Sequence, residues 1–284
     1  MASRGTMGYV SGSAVQSVYA EIYGAATGGT SSSITVGGIN YTLLTFTSDG
    51  TLTVTKAGLF DVLMFGGGSA AYRYDAGAHA GGAGGGILQQ TVYLSDPTYT
   101  VDIGAGGAAG ASLVDLSSGL ATSLGSIPVA LSAIGGFMRT AQSEDQSLGE
   151  FGSQIGCIGN GINSGGINNI QGYKGGNSGL TTSSGGGGGS GGVGGNGSGT
   201  TGGAGGLGTE VNTFIGGSSL FKASGGGGGG SVTGGAAGSG LGNAGTTSTG
   251  NTPAANTAAG GGGGNGANTT GSGGSGILYV RFKV

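Results

Sequence analysis

One cysteine, one histidine, no tryptophan and three prolines are all that four residue types contribute to this 284-residue sequence. With Cys157 as the single thiol, no disulfide can close within the chain. With His79 as the single imidazole, a zinc site that needs three or four Cys or His ligands cannot be assembled from one copy. Charge is scarce too: 8 Lys and Arg stand against 11 Asp and Glu, a net charge of −3. No basic stripe is present on which a nucleic acid would sit. No stretch approaches the roughly 18 apolar residues of a membrane span, and the opening MASRGTMGYVSGS lacks the apolar segment of a secretory signal. The expectation is a soluble chain made in the cytoplasm, with no membrane span, no nucleic-acid partner, no metal and no cofactor.

Glycine is what fills the chain, at 79 residues, about four times ordinary usage. Collagen would require a strict Gly-X-Y period and abundant proline, and residues 225–230, six consecutive glycines, break the period. A disordered linker would carry high net charge and few β-branched or aromatic residues, which this sequence does not. The glycines are also unevenly placed: 10 fall in residues 1–60, 24 in 61–170 and 45 in 171–276.

The glycine-poor front reads as β structure. Residues 41–46 are apolar or β-branched, Ser48-Asp49-Gly50 supplies a turn, and residues 51–55 alternate with period two, which together predict a hairpin. Leu59 to Phe65 is apolar on both faces apart from Asp61, the pattern of a buried central strand. Residues 89–94 and 99–103 alternate as further strands around Ser95-Asp96-Pro97. The closing ILYVRFKV, residues 277–284, puts Leu, Val, Phe and Val on one face and Ile, Tyr, Arg and Lys on the other, a half-buried strand. An isolated strand is not stable, so it should return to pair with the front strands over one core. Residues 34–284 then form one domain and everything between Gly104 and Gly276 is an excursion from it.

An excursion of that length needs internal order. Runs such as 185–189, 225–230 and 260–264 are poor helix formers and carry no side chains to bury. Glycine does permit close backbone approach, and a polyproline II-type helix, with three residues per turn, turns every N–H and C=O outward. Several such segments side by side can satisfy one another. The predicted fold is therefore all-β: an antiparallel, jelly-roll-like β-sandwich with long glycine-rich excursions, chiefly 171–276, that form a polyglycine II helix bundle.

Three further stretches, taken in order, resemble the glycine-rich domain of bacteriophage tail proteins. They are YTLLTFTSDGTLTVTKAGLFDVLMFGGG (41–68), YTVDIGAGG (99–107) and GSGGSGILYVRF (271–282). SLGS (123–126) and SSLF followed by ASG (218–225) resemble a fourth element of that family, present about twice. Residues 70–79, AAYRYDAGAH, and the comparatively glycine-poor 137–150 depart from the pattern. The resemblance implies a virion protein at a tail fibre end or a minor tail protein, synthesised in the host cytoplasm. It also implies a homotrimer, with other tail proteins and a host cell-surface glycan or protein as partners. Capsid decoration or a head fibre, and a wall-degrading tail enzyme, stay open as alternatives.

Enzyme motifs fail on context. Gly66-x-Gly68-x-x-Ala71 follows a strand but precedes no helical periodicity. Ser190 sits in G-x-S-x-G with only glycine around it, where a nucleophile elbow needs a strand and a helix. Glu144, Asp145 and Glu150 read as a solvated loop rather than as a glycosidase pair. No catalytic residue is assigned. For receptor binding the candidates are Tyr72, Arg73, Tyr74 and Asp75, two aromatics and two opposite charges in one loop, together with Tyr173 and Lys174 at a loop tip. The alternative for the first group is local packing with Arg73 paired to Asp75. Thr246 to Thr257 reads as another tip. Residues 1–33 read as an N-terminal arm for virion attachment or oligomer contacts, with Val15, Val18, Tyr19 and Ile22 at helical spacing.

Overall fold

The last strand of the chain is the centre of the first sheet. β12 (Ile277–Lys283) lies between β3 (Ile39–Phe46) and β5 (Gly58–Phe65), antiparallel to both, with Leu278 opposite Phe46 on one side and Met64 on the other. The predicted return of the closing strand to the front strands is what the structure has. β2 (Thr30–Val36) flanks β3 and β6 (Ile87–Leu94) flanks β5, giving the order β2-β3-β12-β5-β6. A second sheet has the order β1 (Ala25–Thr27), β4 (Gly50–Lys56), β7 (Thr98–Asp102), β8 (Thr122–Leu124), β9 (Leu131–Ala133). A two-stranded ladder, β10 (Thr209–Glu210) with β11 (Phe221–Lys222), encloses a one-turn helix, α1 (Asn212–Ile215). The computed structural model describes residues 22–73, 77–95, 97–110, 117–125, 131–133, 172–178, 182–241, 243–266 and 268–284. The fold is mostly β, and among the described residues all three sheets are antiparallel.

Alternating side chains of both five-stranded sheets meet in one cluster. Leu44, Phe46, Phe60, Val62, Met64, Leu278, Val280 and Phe282 come from the first sheet, and Leu52, Tyr99, Val101 and Leu124 from the second. Phe60 and Phe282 meet edge to face at 5.5 Å. Each such side chain contributes about 1.5–3 kcal/mol by leaving water, so this cluster is the main driving force of the fold. The first sheet buries its other face as well. Leu43, Leu63, Phe65, Ile87, Ile277 and Tyr279 are covered by Val211, Phe214, Ala223 and Ala258 of the excursion. The closing strand is therefore buried on both faces rather than one: Ile277 and Tyr279 are as enclosed as Leu278, because the excursion folds back over them.

The predicted hairpin across Ser48-Asp49-Gly50 is not formed. Both edges of β3 are already taken, by β2 and β12, so the chain crosses at this corner into the other sheet, where β4 pairs with β1 and β7. The Asp49 carboxylate accepts the Ile103 N–H at 2.7 Å and fastens the corner to the end of β7. The hairpin that does form joins β2 to β3 through Gly37-Gly38, with Val36 opposite Ile39. Both glycines have positive φ, +58° and +79°, as a two-residue turn matched to strand twist requires. β1 and the start of β2 lie within residues 1–33, the segment read as an arm, and residues 1–21 lie outside the described residues.

Candidate functional site

The glycine segments are joined by backbone hydrogen bonds that advance in steps of three. In the buried segment 225–230, the N–H groups of Gly225 and Gly228 donate to Gly206 and Gly203, those of Gly226 and Gly229 to Gly82 and His79, and those of Gly227 and Gly230 to Asn243 and Thr246, at 2.8–3.3 Å. The carbonyls follow the same rule: Gly225 and Gly228 accept from Gly238 and Gly235, and Gly226 and Gly229 from Gly187 and Ser184. Gly227 accepts from Gly263, and the amide of Asn265 reaches Gly230. One six-residue run is thus bonded to six different neighbours. None of the six glycines of the run could take a Cβ: one built on Gly226 overlaps the Gly261 carbonyl oxygen and lies 2.6 Å from its carbon.

The pattern runs on through residues that are not glycine. Gly66, Ser69 and Tyr72 donate in turn to Gly86, Ala83 and Ala80. This begins at the end of β5 and the start of β6 and carries the two segments away from the sheets. Tyr72 and Ala80 exchange both of their backbone bonds, at 2.9 and 3.0 Å. Tyr72 and Arg73 are half-buried, while Tyr74 and Asp75 lie outside the described residues, and so does the predicted Arg73–Asp75 pairing.

Tyr173 and Lys174 are exposed on segment 172–178, where Tyr173 donates to Gly189 and Lys174 accepts from Gly194. Gly188, one residue before Gly189, bonds to Gly84 near the sheets. The two groups of candidates therefore sit at different heights: Tyr72 and Arg73 at the far end, Tyr173 and Lys174 about five residues, or roughly 15 Å, nearer the strands.

At the far end the segment tips converge. Ala78 bridges Asn265, Ser183 bridges Gly230, and Thr201 bridges both Ser198 and Thr233. The exposed side chains there are small and polar, among them Ser198, Thr200, Thr201, Ser231, Thr233, Ser248 and Thr269, with Val232 at 67% exposure. His79 is buried beneath them, its Nε2 2.9 Å from the Gly266 carbonyl oxygen. Of the predicted tip at 246–257 only the start lies here, where Thr246 caps its own turn onto Thr249; Asn256 and Thr257 are back beside the first sheet, bonded to Lys222 and Ala223. Opposite these tips, Tyr23 bridges Leu59 at the start of β5, so the preceding chain joins the fold at the end remote from them. Lys283 lies over the Tyr23 ring at 4.5 Å, and the Tyr23 side chain pushes its pKa up.

The serine of the G-x-S-x-G match has a structural role. Ser190 is buried, with its hydroxyl 2.8 Å from the Thr209 hydroxyl, and it accepts the Thr209 N–H at 3.0 Å. Lys222 is buried and donates to the Asn256 carbonyl at 2.6 Å, and burial lowers its pKa. Glu144, Asp145 and Glu150 lie outside the described residues.

A concave site on the outer face of the first sheet was not anticipated. Thr91, Asp61 and Arg281 stand in one row across β6, β5 and β12, since Asp61 is opposite Thr91 on one side and Arg281 on the other. Thr91 donates to Asp61 Oδ1 at 2.7 Å and Arg281 Nε to Oδ2 at 3.1 Å. The Arg281 guanidinium also donates to the Phe214 carbonyl at 2.6 Å and lies against the rings of Phe214 and Tyr41, at 4.2 and 4.5 Å. It thereby ties α1 to the sheet. Beside this row is a pocket of about 480 Å³ lined also by Gln89, Gln90, Ile87 and Thr209.

Among the described residues no helix is long and apolar enough to cross a membrane. Residues 45–283 match the family described as the glycine-rich domain. No curated protein matches the chain.

Proposed function

This chain belongs to the glycine-rich domain family, and we propose that it is a non-enzymatic bacteriophage virion protein, at a tail tip or tail fibre, that meets the host cell surface with the tips of its glycine segments. The tail assignment draws on the ordered motifs at 41–68, 99–107 and 271–282. One observation carries the contact role: the segment tips gather at one end of the fold, while the chain before Tyr23 joins at the other. One end is thus free to meet a surface while the other attaches to the virion, with residues 1–21 as the attaching arm.

In the same reading the two five-stranded sheets form a sandwich and the excursion is a polyglycine II bundle. Bonds that step by three to six neighbours are what a three-residue turn with outward-facing N–H and C=O groups produces. The tips are the part of such a lattice whose side chains are not constrained by it, which suits a surface that reads a receptor. Tyr72 and Arg73, at that end, belong to the contact, and the protein works as a homotrimer joined to other tail proteins.

The test is competition. Purified full chain, added to host cells before phage, should adsorb to them and reduce plaque formation, and a variant with Thr200, Thr201, Val232 and Thr233 replaced by alanine should do neither. Absence of adsorption and of competition, or a copy number in purified virions that runs to hundreds, would overturn the adhesive reading.

A further inference from the structure

We infer that the pocket beside Arg281 is a second binding site, separate from the segment tips, and that it takes a neutral saccharide. Around the β5–β12 seam the outer face of the first sheet is apolar and covered, at Ile277, Phe65, Leu63 and Tyr279. The covering stops at α1, and there the row Thr91–Asp61–Arg281 and the side chains of β6 are left facing an open pocket of about 480 Å³, within the range of small-molecule sites.

The chemistry of the lining selects the ligand. A carboxylate, a guanidinium, the Gln89 carboxamide and the hydroxyls of Thr91 and Thr209 line it, all of them groups that hydrogen-bond to the hydroxyls of a sugar. Asp61 and Arg281 neutralise each other at 3.1 Å, so the site presents no unmatched charge to an anion or a cation. Their geometry is fixed before any ligand arrives. Arg281 is held by the Phe214 carbonyl and two rings, and Asp61 by Thr91, so little ordering cost falls on binding. Gln89 is exposed on the edge strand and makes the outer wall. The Phe214 ring is already covered by Arg281, so recognition here rests on hydrogen bonds rather than stacking, and the affinity for one ring is low.

Saturation-transfer NMR on the full chain, with free glucose, galactose, mannose and N-acetylglucosamine as probes, tests this. At least one probe should receive saturation, and the signal should be lost in Gln89→Ala and in Thr91→Val, each with an unchanged circular dichroism spectrum. Both positions are exposed, so loss of folding is not the expected cause. Silence from all four probes, or a signal that survives both substitutions, overturns the proposal. A signal lost instead in the tip variant Thr200/Thr201/Val232/Thr233→Ala also overturns it, because the sugar then belongs to the tips. The site stands or falls independently of whether the tips adhere to cells.

Discussion

Replacing Gly226 by alanine isolates what the glycine segments need. Gly226 has no positive φ, so alanine can adopt its backbone conformation and the substitution tests space alone. The added methyl would overlap the Gly261 carbonyl oxygen, and it would lie 2.6 Å from that carbon and 3.0 Å from the Gly260 oxygen, where ordinary contact begins at 3.4 Å. Every one of these atoms is backbone, and no flexible side chain is available to swing aside. Overpacking a rigid site costs about 1–3 kcal/mol. Parting the segments also stretches the bonds from Gly226 to Gly82 and from Gly187 to Gly226, now 2.9 and 2.8 Å, at about 1 kcal/mol each. The stiffer unfolded chain offsets about 0.4–1 kcal/mol of this.

The expected net loss is about 3 kcal/mol, a fall in Tm of roughly 6–12 °C for a chain of this size. Gly50→Ala is the control. Its methyl would meet nothing nearer than the Phe46 ring at 3.6 Å, and its φ is also not positive, so it should be within about 0.5 kcal/mol of the parent. Thermal and urea unfolding of the two variants, followed by far-ultraviolet circular dichroism, make the comparison. Equal midpoints would refute the close backbone packing on which the glycine region is explained.

Arg281→Ala should cost about 2–4 kcal/mol, because it leaves Asp61 without its cation and frees the Phe214 carbonyl. Faster amide exchange confined to residues 209–216 would mark the release of α1, and unchanged exchange there would contradict its anchoring role. Thr122→Val removes a buried hydroxyl that donates to the Phe65 carbonyl at 2.7 Å and accepts the Gly104 N–H at 3.0 Å. With both groups then unpaired, about 2–3 kcal/mol should be lost in urea unfolding. Burial raises the Tyr279 pKa to about 12. The unfolded phenol ionises first, near its ordinary value of 10, so stability present below that pH is lost as the pH rises toward 12, by an amount on the order of 2–3 kcal/mol. A plot of Tm against pH from 9 to 12 should therefore fall less steeply for Tyr279→Phe than for the parent.

The strands were legible from alternation, and the neighbour of a strand was not. Residues 41–46 and 51–55 both read as strands and both are, yet they lie in different sheets, because edge occupancy is settled by strands far away in sequence, β2 and β12. The real hairpin signal was Gly37-Gly38, hidden by a composition in which paired glycines are common. Of the site, the far-end position of Tyr72 follows from the chain leaving β5 and coming back into β6, whereas the different height of Tyr173 depends on bonds between segments that no local pattern encodes. The row at Arg281 does have a sign in the sequence. Asp61 is the lone charge of an otherwise apolar β5, and β12 carries only the basic residues Arg281 and Lys283, so pairing of the two strands brings opposite charges together.

The step-of-three bonding also sets rules for how such a chain can change length. Adding or removing three residues inside a glycine segment returns each following N–H to the same neighbour, whereas a change of one or two rotates the remainder by a third of a turn and sends every later bond to the wrong partner. At the tips no phase has to be kept. Insertions in the segments should thus be tolerated only in multiples of three, while the tips can gain or lose any number of residues. Variation then concentrates at the surface where the fold meets its surroundings, and the lattice beneath keeps its register.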